Sequence, residues 1–81
     1  MRNYSYSYIE KVESFLTEYV LFNHESYDKS GHLSNEAIEQ AMSVLIGNGI
    51  FATVEDIRRK ALEEYQIILP YRMFEDLKDR K

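Results

Sequence analysis

The chain has 81 residues, no cysteine, one proline and a formal charge of −4 at pH 7. That length holds one small domain over residues 1–81. The missing cysteines exclude a disulfide framework, a thiol nucleophile and a thiolate metal site. Hydrophobic residues form 44 % of the chain and charged residues 30 %, values of a globular rather than a disordered sequence. No apolar run approaches the ~18 residues of a membrane span, and the polar opening MRNYSYSYIEKVE has no apolar signal core. An unstapled chain of this kind is expected in a reducing cytoplasm, away from membranes.

Helical periodicity begins near Tyr6. Ile9, Val12, Leu16, Tyr19 and Val20 recur at helical spacing, with Phe15 and Phe22 widening the stripe, so a helix is expected from about Tyr6 to Phe22. The alternation Tyr4-Ser5-Tyr6-Ser7-Tyr8 has period two and reads as an extended arm over residues 1–8 running into that helix. Residues 23–33 are polar and turn-forming, hence a loop. Ser34 or Asn35 can cap a second helix carrying Ile38, Ala41, Met42 and Leu45. Gly47-Asn48-Gly49 stops it, since glycine accepts the left-handed backbone that closes a helix.

Thr53 followed three residues on by Asp56 resembles a capping box. It opens a third helix, about Val54 to Gln66, with Val54, Ile57, Ala61 and Tyr65 along one face and Leu62 adjacent. Ile67-Ile68-Leu69 is a short apolar connector. Pro70 suits the first position of a fourth helix over 70–79, because its missing N–H has no partner there anyway. Residues 79–81 end the chain as a frayed basic tail. The expected fold is therefore all-α, a small bundle of three to four helices joined by short loops. Its core is Ile9, Val12, Phe15, Leu16, Tyr19, Ile38, Met42, Leu45, Ile57, Ala61, Leu62, Phe74 and Leu77.

Motifs for chemistry are sparse. Asp28, Ser30 and Glu39 fall at the first, third and twelfth positions of a calcium-loop spacing. The sixth position, which needs glycine for its sharp turn, is Leu33. His24 and His32 are the only imidazoles, short of the three or four converging ligands a zinc site uses. No serine lies in a tight glycine elbow. The carboxylate pairs Glu10/Glu13, Glu36/Glu39 and Glu63/Glu64 sit on polar helix faces, where solvation explains them. No catalytic residue, metal or cofactor is assigned.

Charge divides the chain. Residues 1–51 carry three basic against seven acidic side chains, and residues 52–81 carry seven of each. The basic run Arg58-Arg59-Lys60, with Arg72, is the candidate nucleic-acid contact. It could act in a helix-turn-helix formed by the third and fourth helices, where Tyr71, Lys78 and Arg80 would also face phosphates or bases. Net acidity opposes that use, because nucleic-acid binding rests on a positive footprint.

The stretch 34–65 resembles the helical hairpin of ribbon-helix-helix antitoxins and repressors. The resemblance rests on Gly49-Ile50-Phe51-Ala52-Thr53 at the turn and Ile57-Arg58-Arg59-Lys60-Ala61-Leu62 in the second helix, under half of the chain. In that family a strand just before the first helix pairs with its dimer mate and reads the major groove. Lys29-Ser30-Gly31-His32-Leu33 occupies that place here, so no functional residue is carried over.

Seven tyrosines and four phenylalanines exceed what so small a core can hold. Tyr4, Tyr6, Tyr8 and Tyr27 lie on or near the acidic half, and tyrosine is enriched at interfaces. The sequence therefore points to a non-catalytic interaction or regulatory module of a bacterial or phage-borne system, docking on another protein through an acidic tyrosine-rich surface. The partner could be a second copy, since a small domain gains core by dimerising. A small DNA-binding regulator using the Arg58–Lys60 helix is the alternative.

Overall fold

Each α-helix among the described residues begins on a hydroxyl side chain that accepts a backbone N–H. The computed structural model describes residues 5–74 and Leu77. Helix α1 spans Tyr6–Thr17, α2 Asn35–Gly47 and α3 Val54–Tyr65. Ser5 accepts from the Tyr8 amide, Ser34 from Ala37, and Thr53 from Asp56, whose own carboxylate accepts the Thr53 N–H to complete a capping box. These bonds satisfy donors that have no partner within the helix. The small all-α fold expected from the sequence is the fold observed. Between α1 and α2 lies a 3₁₀ turn at His24–Ser26, and a second 3₁₀ turn spans Tyr71–Phe74.

Three boundaries differ from the sequence expectation. Tyr6, Ser7 and Tyr8 form the first turn of α1, so no extended arm exists over the described residues; Tyr4 lies outside them. Ser5 is the reason, because its side chain caps the helix directly ahead of Tyr6. At its other end α1 stops at Thr17 rather than Phe22. The Tyr19 and Val20 amides both close on the Leu16 carbonyl, and Tyr19 turns edge-on to Phe15 and to Phe51, with centroids 5.5 and 5.3 Å away. Tertiary packing of that ring overrides the helical periodicity. The third difference is how the fourth helix begins: Tyr71–Phe74 is a four-residue 3₁₀ turn, begun by a bond from the Met73 amide to the Pro70 carbonyl at 3.1 Å, while Leu77 beyond it is α-helical. Residues 75, 76 and 78–81, including the expected tail, lie outside the described set.

The core is built from Val12, Phe15 and Leu16 of α1, Ile38, Ala41, Met42 and Leu45 of α2, and Ile57 and Ala61 of α3. Leu33, Ile67, Leu69, Met73 and Phe74 close it from the connecting segments. Helix α1 packs against α3, and α2 packs against the Tyr71–Phe74 turn. The expected core members Tyr19 and Leu77 are half-buried against this cluster, and Ile9 is half-buried as well. Leu62 departs from expectation altogether: it is 50 % exposed. Ile57 and Ala61 already use the face of α3 that α1 covers, which turns position 62 toward solvent.

Candidate functional site

The segment after α3 runs extended and is held to the helix by Arg58. The left-handed conformation of Gln66, φ 55° and ψ 40°, reverses the chain at the end of α3. Ile67 and Leu69 then point into the core while Ile68 between them is 66 % exposed, the alternation of an extended chain. The Arg58 Nε donates to the Leu69 carbonyl at 2.7 Å. One terminal nitrogen donates to the Tyr71 hydroxyl at 3.0 Å and to Glu55 at 3.2 Å. The guanidinium carbon also stands 4.1 Å from the centre of the Tyr71 ring, within cation–π range. Tyr71 donates its own hydroxyl proton to Glu55. That bond raises the Tyr71 pKa against the opposing charge of Arg58, and it lowers the Glu55 pKa with Arg58 adding to the effect.

This clamp shapes an open groove of about 310 Å³ lined by Glu55, Arg58, Arg59, Leu62, Ile68 and Leu69. Its apolar wall pairs the exposed Leu62 and Ile68. Its rim carries both signs of charge. On the other side of the α3 ridge a second groove, about 280 Å³, is lined by Ile50, Phe51, Ala52, Asp56, Arg59, Lys60 and Glu63. Arg59 belongs to both, so the outward face of α3 is a ridge between two troughs.

The basic run does not present three unpaired cations. Arg59 binds Asp56 one turn back, and Lys60 binds Glu64 one turn on at 3.1 Å. The Asp56 pKa is lowered by its bond from Thr53 and then by Arg59, and the Lys60 pKa is raised by Glu64. Arg58 is spent on the Leu69 clamp. Arg72 is exposed on the following 3₁₀ turn, and Lys78 and Arg80 lie outside the described residues. Each cation of the run thus carries a carboxylate that a phosphate would have to displace.

The tyrosines separate into different jobs. The Tyr8 hydroxyl donates to the Ile68 carbonyl at 2.6 Å, so this ring ties α1 to the segment after α3. Tyr6 is 68 % exposed and stacks on His32, centroids 5.0 Å apart. Tyr27 is exposed at the base of the 28–32 loop, where it forms a single antiparallel bridge with Leu33. Tyr4 lies outside the described residues.

The loop itself is a closed structural unit. The Asp28 carboxylate accepts from the Ser30 hydroxyl, the Ser30 amide and the His32 amide, and Gly31 takes φ 87° at its tip. The Ser30 bond leads in holding the Asp28 pKa below its ordinary value. One oxygen of Glu13 receives the Leu33 amide at 2.8 Å and His32 Nδ1 at 3.1 Å, latching the loop to α1. The residues expected as a turn before α2 therefore bond back onto their own chain, and residues 29–33 form no strand. No group of three or more His, Asp or Glu able to hold a metal ion occurs among the described residues, and no described helix is long and apolar enough to cross a membrane.

The sequence alone singles out Arg58, Arg59, Tyr6 and Tyr27, but it assigns Leu62 inward and gives Ile68 only as part of an apolar connector. The signal for Ile68 was present: three apolar residues between a helix end and a proline must alternate sides if the chain is extended. No protein-family model, no curated protein and no solved structure matches the chain.

Proposed function

We propose that the chain is a non-catalytic protein-docking domain whose contact face is the outer side of α3 with the Ile68 segment. One observation carries the reading: Leu62 and Ile68 stand exposed together in one groove beside a helix whose other exposed residues are Glu55, Arg59, Glu63 and Glu64. Neighbouring exposed aliphatics rimmed by charge are what a partner desolvates at the centre of an interface. The chemistry fits a folded protein surface offering an apolar side chain flanked by both signs of charge. The Tyr6 and Tyr27 surface near the 28–32 loop remains a second exposed aromatic face, while Tyr8 has its hydroxyl committed internally.

The test is affinity capture by the tagged full chain from its source extract, with and without nuclease, compared with Leu62→Glu, Ile68→Glu and a Tyr6→Ala/Tyr27→Ala double variant. Stoichiometric capture that survives nuclease and is lost in the first two variants supports the reading. Loss only in the tyrosine variant moves the interface to the loop. Capture that disappears with nuclease replaces protein docking with nucleic-acid binding through Arg58–Lys60 and Arg72.

A further inference from the structure

The charges on the outer ridge of α3 are arranged to complement themselves. Glu55, Arg59 and Glu63 follow one another at intervals of four, acid, base, acid, on the exposed side of the helix. Residues four apart lie one above the other along a helix face. Two such helices laid antiparallel, with a two-fold axis passing between Arg59 and Glu63, bring Arg59 opposite Glu63 of the partner subunit twice over. The same axis sets Leu62 within about 3 Å, measured along the helix, of Leu62 of the partner subunit, because each residue rises about 1.5 Å. The troughs on either side of the ridge, with Arg59 lining both, give the relief that a second helix needs to pack ridge into groove. A two-fold interface must be self-complementary, and the Arg59–Glu63 pairing across that axis meets this requirement.

Resting on the docking reading above, we infer that the partner seated on the α3 face is a second copy of this chain, forming an antiparallel two-fold dimer. Leu62 of each copy packs at the centre with Ile68 beside it. The two Arg59–Glu63 pairs flank that centre. Asp56 already holds one end of the Arg59 guanidinium through a single terminal nitrogen, so other N–H donors of the fork stay available to the partner carboxylate. The Lys60–Glu64 pair on the neighbouring row stays within its own chain.

Sedimentation equilibrium of the full chain, followed from low micromolar to about 1 mM, the weak limit of specific association, tests this. A concentration-dependent dimer mass is expected. Leu62→Glu abolishes it while the far-UV circular dichroism stays unchanged, since Leu62 is outside the core. Arg59→Glu and Glu63→Arg are each monomeric alone. Mixed in equal amounts they form a heterodimer, because the first chain then offers two acids and the second two bases. A wild-type monomer throughout the range overturns the inference. So does a dimer that persists in Leu62→Glu, or two charge variants that stay monomeric when mixed. A monomer that nevertheless captures a foreign protein through Leu62 overturns the self-association alone and leaves the docking reading in place.

Discussion

Arg58 Nε donates to the carbonyl oxygen of Leu69 at 2.7 Å, eleven residues along the chain and across the turn made by Gln66. Leu69 is fully buried, and its carbonyl accepts from a guanidinium that also stands over the Tyr71 ring. A residue that looks in the sequence like the first member of a basic run is therefore a strut for the wall of the groove.

Replacing Arg58 with alanine removes a charge-assisted hydrogen bond, a cation–π contact and the packing of the arginine stem. Chemical unfolding in urea is expected to show a loss of about 2 kcal/mol. Arg58→Lys is expected to recover less than half, because an ammonium cannot serve Leu69 and Tyr71 with the same planar fork. Arg59→Ala, at an exposed ion pair, is expected to stay within about 0.5 kcal/mol of wild type. Equal effects at 58 and 59 would remove the structural role assigned to Arg58.

Among the described residues, the Glu13 carboxylate is the acceptor that the Leu33 amide reaches, at 2.8 Å. Glu13→Ala leaves that donor unpaired and is expected to destabilise the chain by about 1–3 kcal/mol. The Leu33 amide is expected to exchange with solvent much faster in the variant. Glu13→Gln keeps an acceptor oxygen and is expected to fall between the two. Unchanged exchange at Leu33 in Glu13→Ala would show that the loop is held by its Asp28 bonds alone.

Tyr8→Phe deletes a single hydroxyl and with it the 2.6 Å bond to the Ile68 carbonyl. The expected loss is about 1 kcal/mol. It should be accompanied by broadened amide signals over 67–69 in the nuclear magnetic resonance spectrum, since that segment then loses its tie to α1. An identical spectrum there would locate the tie elsewhere.

Two ends of the pH scale are expected to behave differently. Asp28, Glu55 and Asp56 have lowered pKa values through bonds from Ser30, Tyr71 and Thr53 respectively. A lowered folded-state value means stability that is present above the unfolded carboxylate range, near pH 4, and lost as pH falls through the folded values. The melting temperature is therefore expected to drop below about pH 4, more shallowly in Asp56→Asn. Tyr65 is the opposite case: its bond to Glu18 raises its pKa to about 12. The associated stability is complete below the ordinary tyrosine value of about 10 and disappears as pH rises toward the folded value. Ultraviolet titration should show Tyr65 ionising late, near pH 12, and Glu18→Gln should bring it forward. A titration curve left unchanged by Glu18→Gln would contradict the Tyr65–Glu18 bond.

Helices that start and stop on local signals are legible in residue order. Ser34 heads α2 and the Thr53–Asp56 box heads α3, each through a bond spanning three residues, while Gly49 at φ 74° follows the end of α2. Such signals lie within one turn of the backbone they terminate, so residue order alone reveals them. Val12, Phe15, Leu16, Ile38, Met42, Leu45, Ile57 and Ala61 were legible as core for the same reason, because the period of a helix is a local property.

The remaining features follow from packing between segments far apart in the chain. Tyr19 leaves the line of α1 because Phe51, thirty-two residues on, offers its ring an edge-on contact. Leu62 faces solvent because α1 covers the other side of α3, and Ile68 does so because Leu69 is drawn inward under Arg58. The Tyr8–Ile68 and Arg58–Leu69 bonds join groups that no spacing rule relates. Which carbonyl a long side chain reaches depends on how separate elements pack, and that packing is set by the whole buried core rather than by any one stretch of it.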